Sequence, residues 1–240
     1  MPHFPFQRLQ SELAVLISRT PAGERLPSEP ELAKQMGVSR ATLREAMRTF
    51  EAQGLIRRRQ GAGTFVVGQV PVIESGLEVL ESLDTIARRM NLEISVSDLQ
   101  IERLYADQEC AENLGVPLAA RLMRVRRVMR ADRRAVAYLI DTLPEDVLTL
   151  EQLPGTFSGS VLDLLLGRGD PLTVSRAAVS AVGATAEVAK ALEIQRDDVL
   201  LQIASQLYYS NGKVVDYSFS YFIPGYFKFH IVRRVGINHQ

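Results

Sequence analysis

Apolar and polar positions alternate along this chain in two distinct rhythms, one confined to its first third and one to the rest. Residues 5–18 carry Phe6, Leu9, Leu13, Leu16 and Ile17 at helical spacing, and Pro21-Ala22-Gly23 ends that helix. Ser28 followed by Glu31 is a capping-box pair, with Pro30 in the first turn, where amides need no intrahelical partner. A second helix therefore starts near Glu29, buries Leu32, Ala33 and Met36, and exits through Gly37. Only Val38 precedes Ser39, another N-cap candidate. From there Leu43, Ala46, Met47 and Phe50 form an apolar stripe, while Arg40, Thr42, Arg44 and Arg48 hold the other faces. Two short β-prone runs follow, residues 55–59 and 64–67, around the glycines at 61 and 63.

After residue 67 glycine and proline return, and the domain boundary is expected there: residues 1–70 form one domain, 71–75 a linker, and 76–240 the second. Leucines 77, 80 and 83 with Ile86 or Ala87 predict a helix over 74–90, with a possible restart at Ser82 or Asp84. Beyond it lies a weak internal repeat. Residues 108–116 and 186–194 share Glu, Ala, Leu and a β-branched residue in register, and each precedes two long β-prone runs. The runs are 121–130 with 135–143, and 199–209 with 214–223, the latter joined by Asn211-Gly212, a strong hairpin signal. Strands are also expected at 97–104, 171–182 and 226–235, with a helix at 160–166. Duplicated helix-and-hairpin units predict one antiparallel sheet covered by helices, with a cleft between its halves.

Two helices as close as those near Glu29 and Ser39 must cross steeply. That is the helix-turn-helix arrangement, whose second helix presents its N-terminal residues to base edges in the major groove, and the following hairpin makes it winged. Arg57, Arg58 and Arg59 alone would be a solvated edge; with Arg40 and Arg44 one helix away, phosphate contact becomes the better account. Charge sharpens this picture. The formal net charge is zero, yet residues 1–70 hold 10 of the 28 basic and 6 of the 28 acidic residues, leaving 18 basic against 22 acidic for 71–240. A basic head on an acidic body confines nucleic-acid affinity to the head.

The run LPSE-x-ELA, then GVSR-x-TLREA, GLI-x-R and G-x-GTFVV is similar to the winged helix-turn-helix of GntR-type bacterial transcription regulators. The resemblance implies double-stranded DNA as partner, with Ser28, Ser39, Arg40, Thr42, Arg44 and Arg58 at the duplex and Gly63 at the wing tip near the minor groove. Pro30 stands where many members have arginine. The body, through VRRVMRAD, LIDTLP, GSVLDLL, NGKVVDYSFSYF and FKFHIVRR, resembles the UTRA effector-binding domain of the HutC subfamily over residues 76–238. That domain is chorismate-lyase-like in fold but senses ligands.

In members that sense sugar phosphates, two alternate-spaced arginines, an acid before the LP, a helix-opening serine and a late acid hold the ligand. The resemblance carries over Arg127, Ser160 and Asp216, and Phe222 is a pocket-lining candidate. Met129 stands at the second arginine, Leu139 at the earlier acid, and Ile223 to Gly225 replaces Arg-Gly-Asp. Losing a cation and a carboxylate favours a less charged effector, because a pocket must pair the charges it buries. Arg127 shares strand parity with Val125 and Met129, which is the buried face; as a surface residue it would have the parity of Arg124, Arg126 and Arg130. Ser160 is a helix N-cap in either case, and Asp216 reads equally as a pocket or an edge-strand charge.

Catalytic chemistry finds no support in the motifs. His3, His230 and His239 have no ligand spacing with one another or with Cys110, and no nucleophile elbow, Walker loop or dinucleotide fingerprint occurs. No metal and no cofactor are expected. One cysteine allows no internal disulfide, no run approaches the roughly 20 apolar residues that span a bilayer, and the start lacks a signal-peptide pattern, so a cytoplasmic setting without membrane contact is expected.

The fold class expected is α+β, an N-terminal winged helix-turn-helix joined to a C-terminal antiparallel-sheet domain with flanking helices. The function expected is a homodimeric, effector-responsive regulator, a repressor, bound to a palindromic operator. The alternatives are a chorismate-lyase-like enzyme carrying a DNA-binding head, and an effector-free DNA-binding regulator.

Overall fold

The computed structural model describes residues 5–21, 23–52, 55–59, 62–67 and 73–232. The chain divides into two compact units, with the main boundary between Val72 and Ile73.

The first unit contains α1 (Pro5–Arg19), α2 (Glu29–Gln35), α3 (Arg40–Ala52), β1 (Ile56–Arg59) and β2 (Gly63–Val66). Its core is the set of apolar stripes read from the sequence: Leu9, Leu13 and Ile17 of α1, Leu32 and Ala33 of α2, and Leu43, Ala46, Met47 and Phe50 of α3, closed by Leu26, Ile56 and Val66. α2 starts where the capping pair places it, with the Glu31 carboxylate accepting from the Ser28 amide at 2.8 Å and from its hydroxyl at 2.7 Å. β1 and β2 form the antiparallel wing, Ile56 opposite Val66 and Arg59 opposite Gly63. The segment before α2 extends it, because Arg25 bridges Phe65 and the Leu26 amide donates to the Thr64 carbonyl at 2.8 Å. The wing is thus three extended segments wide.

The second unit is built on a six-stranded antiparallel sheet ordered β4-β5-β6-β9-β8-β7. The strands are β4 (Ile94–Tyr105), β5 (Arg121–Ala131), β6 (Arg134–Pro144), β7 (Leu172–Gly183), β8 (Val199–Tyr209) and β9 (Val214–Phe222). Helices α5 (Gln108–Leu114) and α7 (Ala186–Leu192) are the repeated short helices; α4 (Leu83–Arg89) and α6 (Val161–Arg168) complete the set. α6 joins the core of Met123, Val125, Leu143, Leu207 and Val215 through Val161 and Leu165.

Two sequence expectations are corrected here. Ile73–Gly76, expected to be partly linker and partly helix, is a strand, β3, and it pairs in parallel with β10 (Phe227–His230). Alternate residues Ile73 and Ser75 are buried, the period of a strand and not of a helix. The helix then starts only after Ser82, whose hydroxyl accepts from the Thr85 amide at 3.0 Å, while Val79 and Leu80 stay exposed. Positions 71 and 72 of the expected linker, and 233–235 of the expected last strand, lie outside the described residues.

Candidate functional site

The first candidate surface is the outward side of α3. Burial of Leu43, Ala46, Met47 and Phe50 turns the opposite side out, so Arg40, Ala41, Arg44, Glu45 and Arg48 are all exposed. Ser39 caps the helix: its hydroxyl accepts from the Thr42 amide at 3.1 Å and lies 2.8 Å from the Thr42 hydroxyl. This presents Ser39, Arg40 and Thr42 as one polar patch at the N-terminal end, and Arg40 has no side-chain partner among the described residues.

Arg44 and Arg58 are placed differently. The Arg44 Nε donates to Glu29 Oε2 at 2.7 Å, although the arginine side chain stays 59% exposed. Arg58 lies inside the unit, its guanidinium 3.7 Å from both Glu29 and Glu51 and 3.5 Å from the Arg44 carbonyl. Glu29 therefore joins α2, α3 and the wing through two arginines. Gly63 has φ +110, a conformation L side chains rarely adopt, and a Cβ there would fall 2.5 Å from the Arg25 Nε, so a larger residue would strain the backbone and displace the Arg25 guanidinium. Sequence reasoning missed Arg25 and Glu29. The signal for both was their position at the capping box, Arg25 three residues before Ser28 and Glu29 between Ser28 and Glu31, but their partners lie on other elements.

The second candidate lies on one face of the six-stranded sheet. Pairing sets Val125, Asp141, Ser218, Ser205 and Ala177 opposite one another across β5, β6, β9, β8 and β7. The next row on that face is Arg127, Leu139, Ser220, Ile203 and Val179. Arg127 sits on the buried side, as its parity predicts, and is 7% exposed. Its Nη1 pairs with Asp141 Oδ2, the diagonal neighbour on β6, while its Nε is buried without a hydrogen-bond partner. The aliphatic stem packs against Gly159, at φ +104, where a Cβ would come within 2.6 Å of the Arg127 Cδ.

Asp216 is 5% exposed, opposite Leu207 and beside the first row. Its Oδ1 accepts from the Thr142 amide at 3.1 Å. Burial pushes its carboxyl well above the ordinary range and the Asp141 carboxylate pushes it further, against the pull of the Ser218 hydroxyl, Arg127 and the Thr142 amide. The expected loss of an acid is corrected here. Leu139 does occupy the mapped position, but Asp141, two residues on, supplies a carboxylate to Arg127, so the floor holds one cation and two acids.

Ser160 is 6% exposed and caps α6, its hydroxyl accepting from the Asp163 amide at 3.2 Å. Asp163 in turn accepts from the Ser82 hydroxyl at 2.7 Å, tying the starts of α4 and α6 together. Burial also raises the Asp84 carboxyl, an effect that Arg127 opposes and Asp163 reinforces. A cleft of about 880 Å³ opens beside these groups, lined among others by Asp84, Arg88, Ser158, Ser160 and Asp163. Of the four expected effector residues only Ser160 lines it. Phe222 is set apart in an aromatic cluster, its ring edge-on to Phe227 at 4.7 Å and to Phe229 at 5.0 Å.

Comparison with known proteins fits both halves. Residues 7–66 match "Bacterial regulatory proteins, gntR family" and residues 89–228 match the UTRA domain. Among curated relatives, the HTH-type transcriptional repressor NagR of Bacillus subtilis (strain 168) is 31% identical over 197 residues, 80% of this chain and 79% of that protein. The histidine utilization repressor of Klebsiella aerogenes is 31% identical over 182 residues, 75% of this chain and 73% of that protein. The crystal structure of PhnF from Mycobacterium smegmatis shares the fold, with a TM-score of 0.64 at 23% identity, covering 95% of this chain and all of that one. The chain therefore belongs to the gntR family of bacterial regulatory proteins and is a HutC-type transcription regulator, a winged helix-turn-helix joined to a UTRA effector-binding domain.

Proposed function

We propose that this regulator is a cytoplasmic homodimeric repressor whose two heads read a palindromic operator, and whose affinity changes when a small molecule binds the UTRA domain. Residues 1–70 serve as the DNA-binding domain, and residues 76–240 sense the effector and supply the dimer contact. Ser39, Arg40, Thr42 and Arg44 enter the major groove, with Ser28 and Gly63 near the backbone and minor groove. Arg58 contributes mainly by fixing Arg44 and the wing through Glu29.

The observation that carries this reading is the outward N-terminal patch of α3, where an exposed Arg40, without a side-chain partner among the described residues, stands beside the capped Ser39–Thr42 pair. One recognition helix covers only a half-site, and a twofold dimer doubles the contacts without new chemistry. Both relatives described above are named repressors, which supports the sign of regulation. Arg127, Asp141, Asp216 and Ser160 form the polar part of the effector site, and binding there acts by favouring one arrangement of the dimer over another. The site senses its ligand and leaves it unchanged.

Gel retardation with the DNA around its own gene tests the reading. Arg40→Ala and Arg44→Ala each lower specific affinity by roughly 10- to 100-fold, about 1–3 kcal/mol for a lost base contact; the melting curve is unchanged in Arg40→Ala, and Arg44→Ala, which loses the exposed pair with Glu29, costs at most about 1 kcal/mol of stability. Normal operator binding by both variants would refute the groove assignment.

A further inference from the structure

The six-stranded sheet ends differently at its two edges. β4, at one end, is bulged between Ser97 and Gln100 with Asp98 at φ 52, and it carries the charges of Asp98, Glu102 and Arg103. Bulges and charges keep an edge strand from accepting another strand. β7, at the other end, has one charged residue, Arg176, with no proline and no lysine, and its register with β8 shifts only at the start, between Leu172 and Val174.

β7 is also uncovered. Among the described residues it is hydrogen-bonded to β8 alone, which leaves one line of backbone amides and carbonyls to solvent along a strand of twelve residues, about 40 Å. Every residue from Arg176 to Ala181 is exposed, and both faces of the sheet take part: Val174 is 59% exposed on one and Val179 is 49% exposed on the other. A strand laid along this edge would pair those backbone groups and bury the valines. The side chains of β7 suit a second copy of itself. About a twofold axis normal to the sheet, antiparallel partners lie on the same face, so residue numbers of equal parity meet. With Ala178 on the axis, Val174 meets Val182, Ala177 meets Val179 and Arg176 meets Ser180, so valine faces valine and the two arginines stay apart.

We propose that β7 is the seam of the homodimer: the β7 strands of two copies pair antiparallel about a twofold axis at Ala178 and join two six-stranded sheets into one of twelve. This rests on the homodimer proposed above and adds to it a surface and a register. A strand of an unrelated protein would fit the backbone equally; the match of valines and the separation of the arginines single out a second copy.

The test is sedimentation equilibrium of the full chain with substitutions at the exposed Ala178. Ala178→Lys and Ala178→Glu each set like charges opposite one another across the axis and raise the dimer dissociation constant by about 10-fold or more. Mixing the two variants in equal amounts restores a heterodimer of near-native affinity, an outcome that misfolded chains would not give. Ala178→Cys brings two thiols within disulfide reach, since directly opposite Cα atoms lie about 4.5–5.5 Å apart, and oxidation with copper phenanthroline yields a covalent dimer on a non-reducing gel. Cys110 is buried, so the native chain stays uncross-linked under the same conditions. A native dimer that the charged variants leave intact, or that they dissociate without rescue on mixing, or whose Ala178→Cys form fails to cross-link, overturns the seam while the proposed dimeric repressor stands. A native chain that sediments as a monomer overturns both and leaves the β7 edge to a different protein.

Discussion

Three arginines that look alike in the sequence, at positions 40, 44 and 58, have three different surroundings. Arg40 is exposed and has no side-chain partner among the described residues, Arg44 is held by Glu29 yet mostly exposed, and Arg58 lies between Glu29 and Glu51. An arginine already paired must exchange a carboxylate for a phosphate on binding, which lowers its net gain. Asp216 offers a residue-scale test of the body. Its folded carboxyl titrates above its unfolded value, so the folded chain binds more protons in the interval between the two. Stability is therefore fully present below the ordinary carboxylate range and declines as pH rises through the folded value. Asp141, Arg127 and Ser218 face this group and are unchanged in Asp216→Asn. Urea unfolding between pH 4 and pH 8, roughly the ordinary carboxylate value and well above it, should show that decline in the native chain and a flatter profile in the variant. Matching profiles would place the titration elsewhere.

At the scale of elements, α3 serves two purposes with opposite faces, and its placement depends on the buried one. Leu43 is fully buried among α1 and α2 side chains, and Leu43→Ala should cost about 2–5 kcal/mol of head stability, measured by chemical denaturation. A loss below about 1 kcal/mol would mean that α3 is not anchored as described. The helices and hairpins of the head were legible because capping pairs and apolar spacing are local signals. β3 was not. Its partner β10 lies some 150 residues later, and the leucines at 77, 80 and 83 imitate a helix stripe over a segment where Leu80 is exposed. A four-residue strand has too little alternation to compete with that pattern.

For the whole molecule, the division of charge between a basic head and an acidic body predicts how binding responds to salt. Operator affinity should fall linearly on a log–log plot against salt concentration, with a slope that drops by about 1 for each phosphate-contacting arginine removed. A salt-independent affinity would contradict phosphate-dominated binding. Sedimentation at the same concentrations should report a dimer, and a monomer that retards operator DNA with full specificity would remove the twofold argument.

The sequence by itself determined the two helices and wing of the head, the duplicated helix-and-hairpin plan of the body, and the buried parity of Arg127. These follow from periodicity and capping, which act between residues a few positions apart. Only the tertiary structure decided that Asp141 answers Arg127 where Leu139 was expected to leave a gap, that Glu29 gathers Arg44 and Arg58, and that Ile73–Gly76 is a strand. In each case the deciding partner lies on another element. Diagonal neighbours on paired strands and charges on crossing helices are fixed by register and packing, which the linear order of residues does not contain.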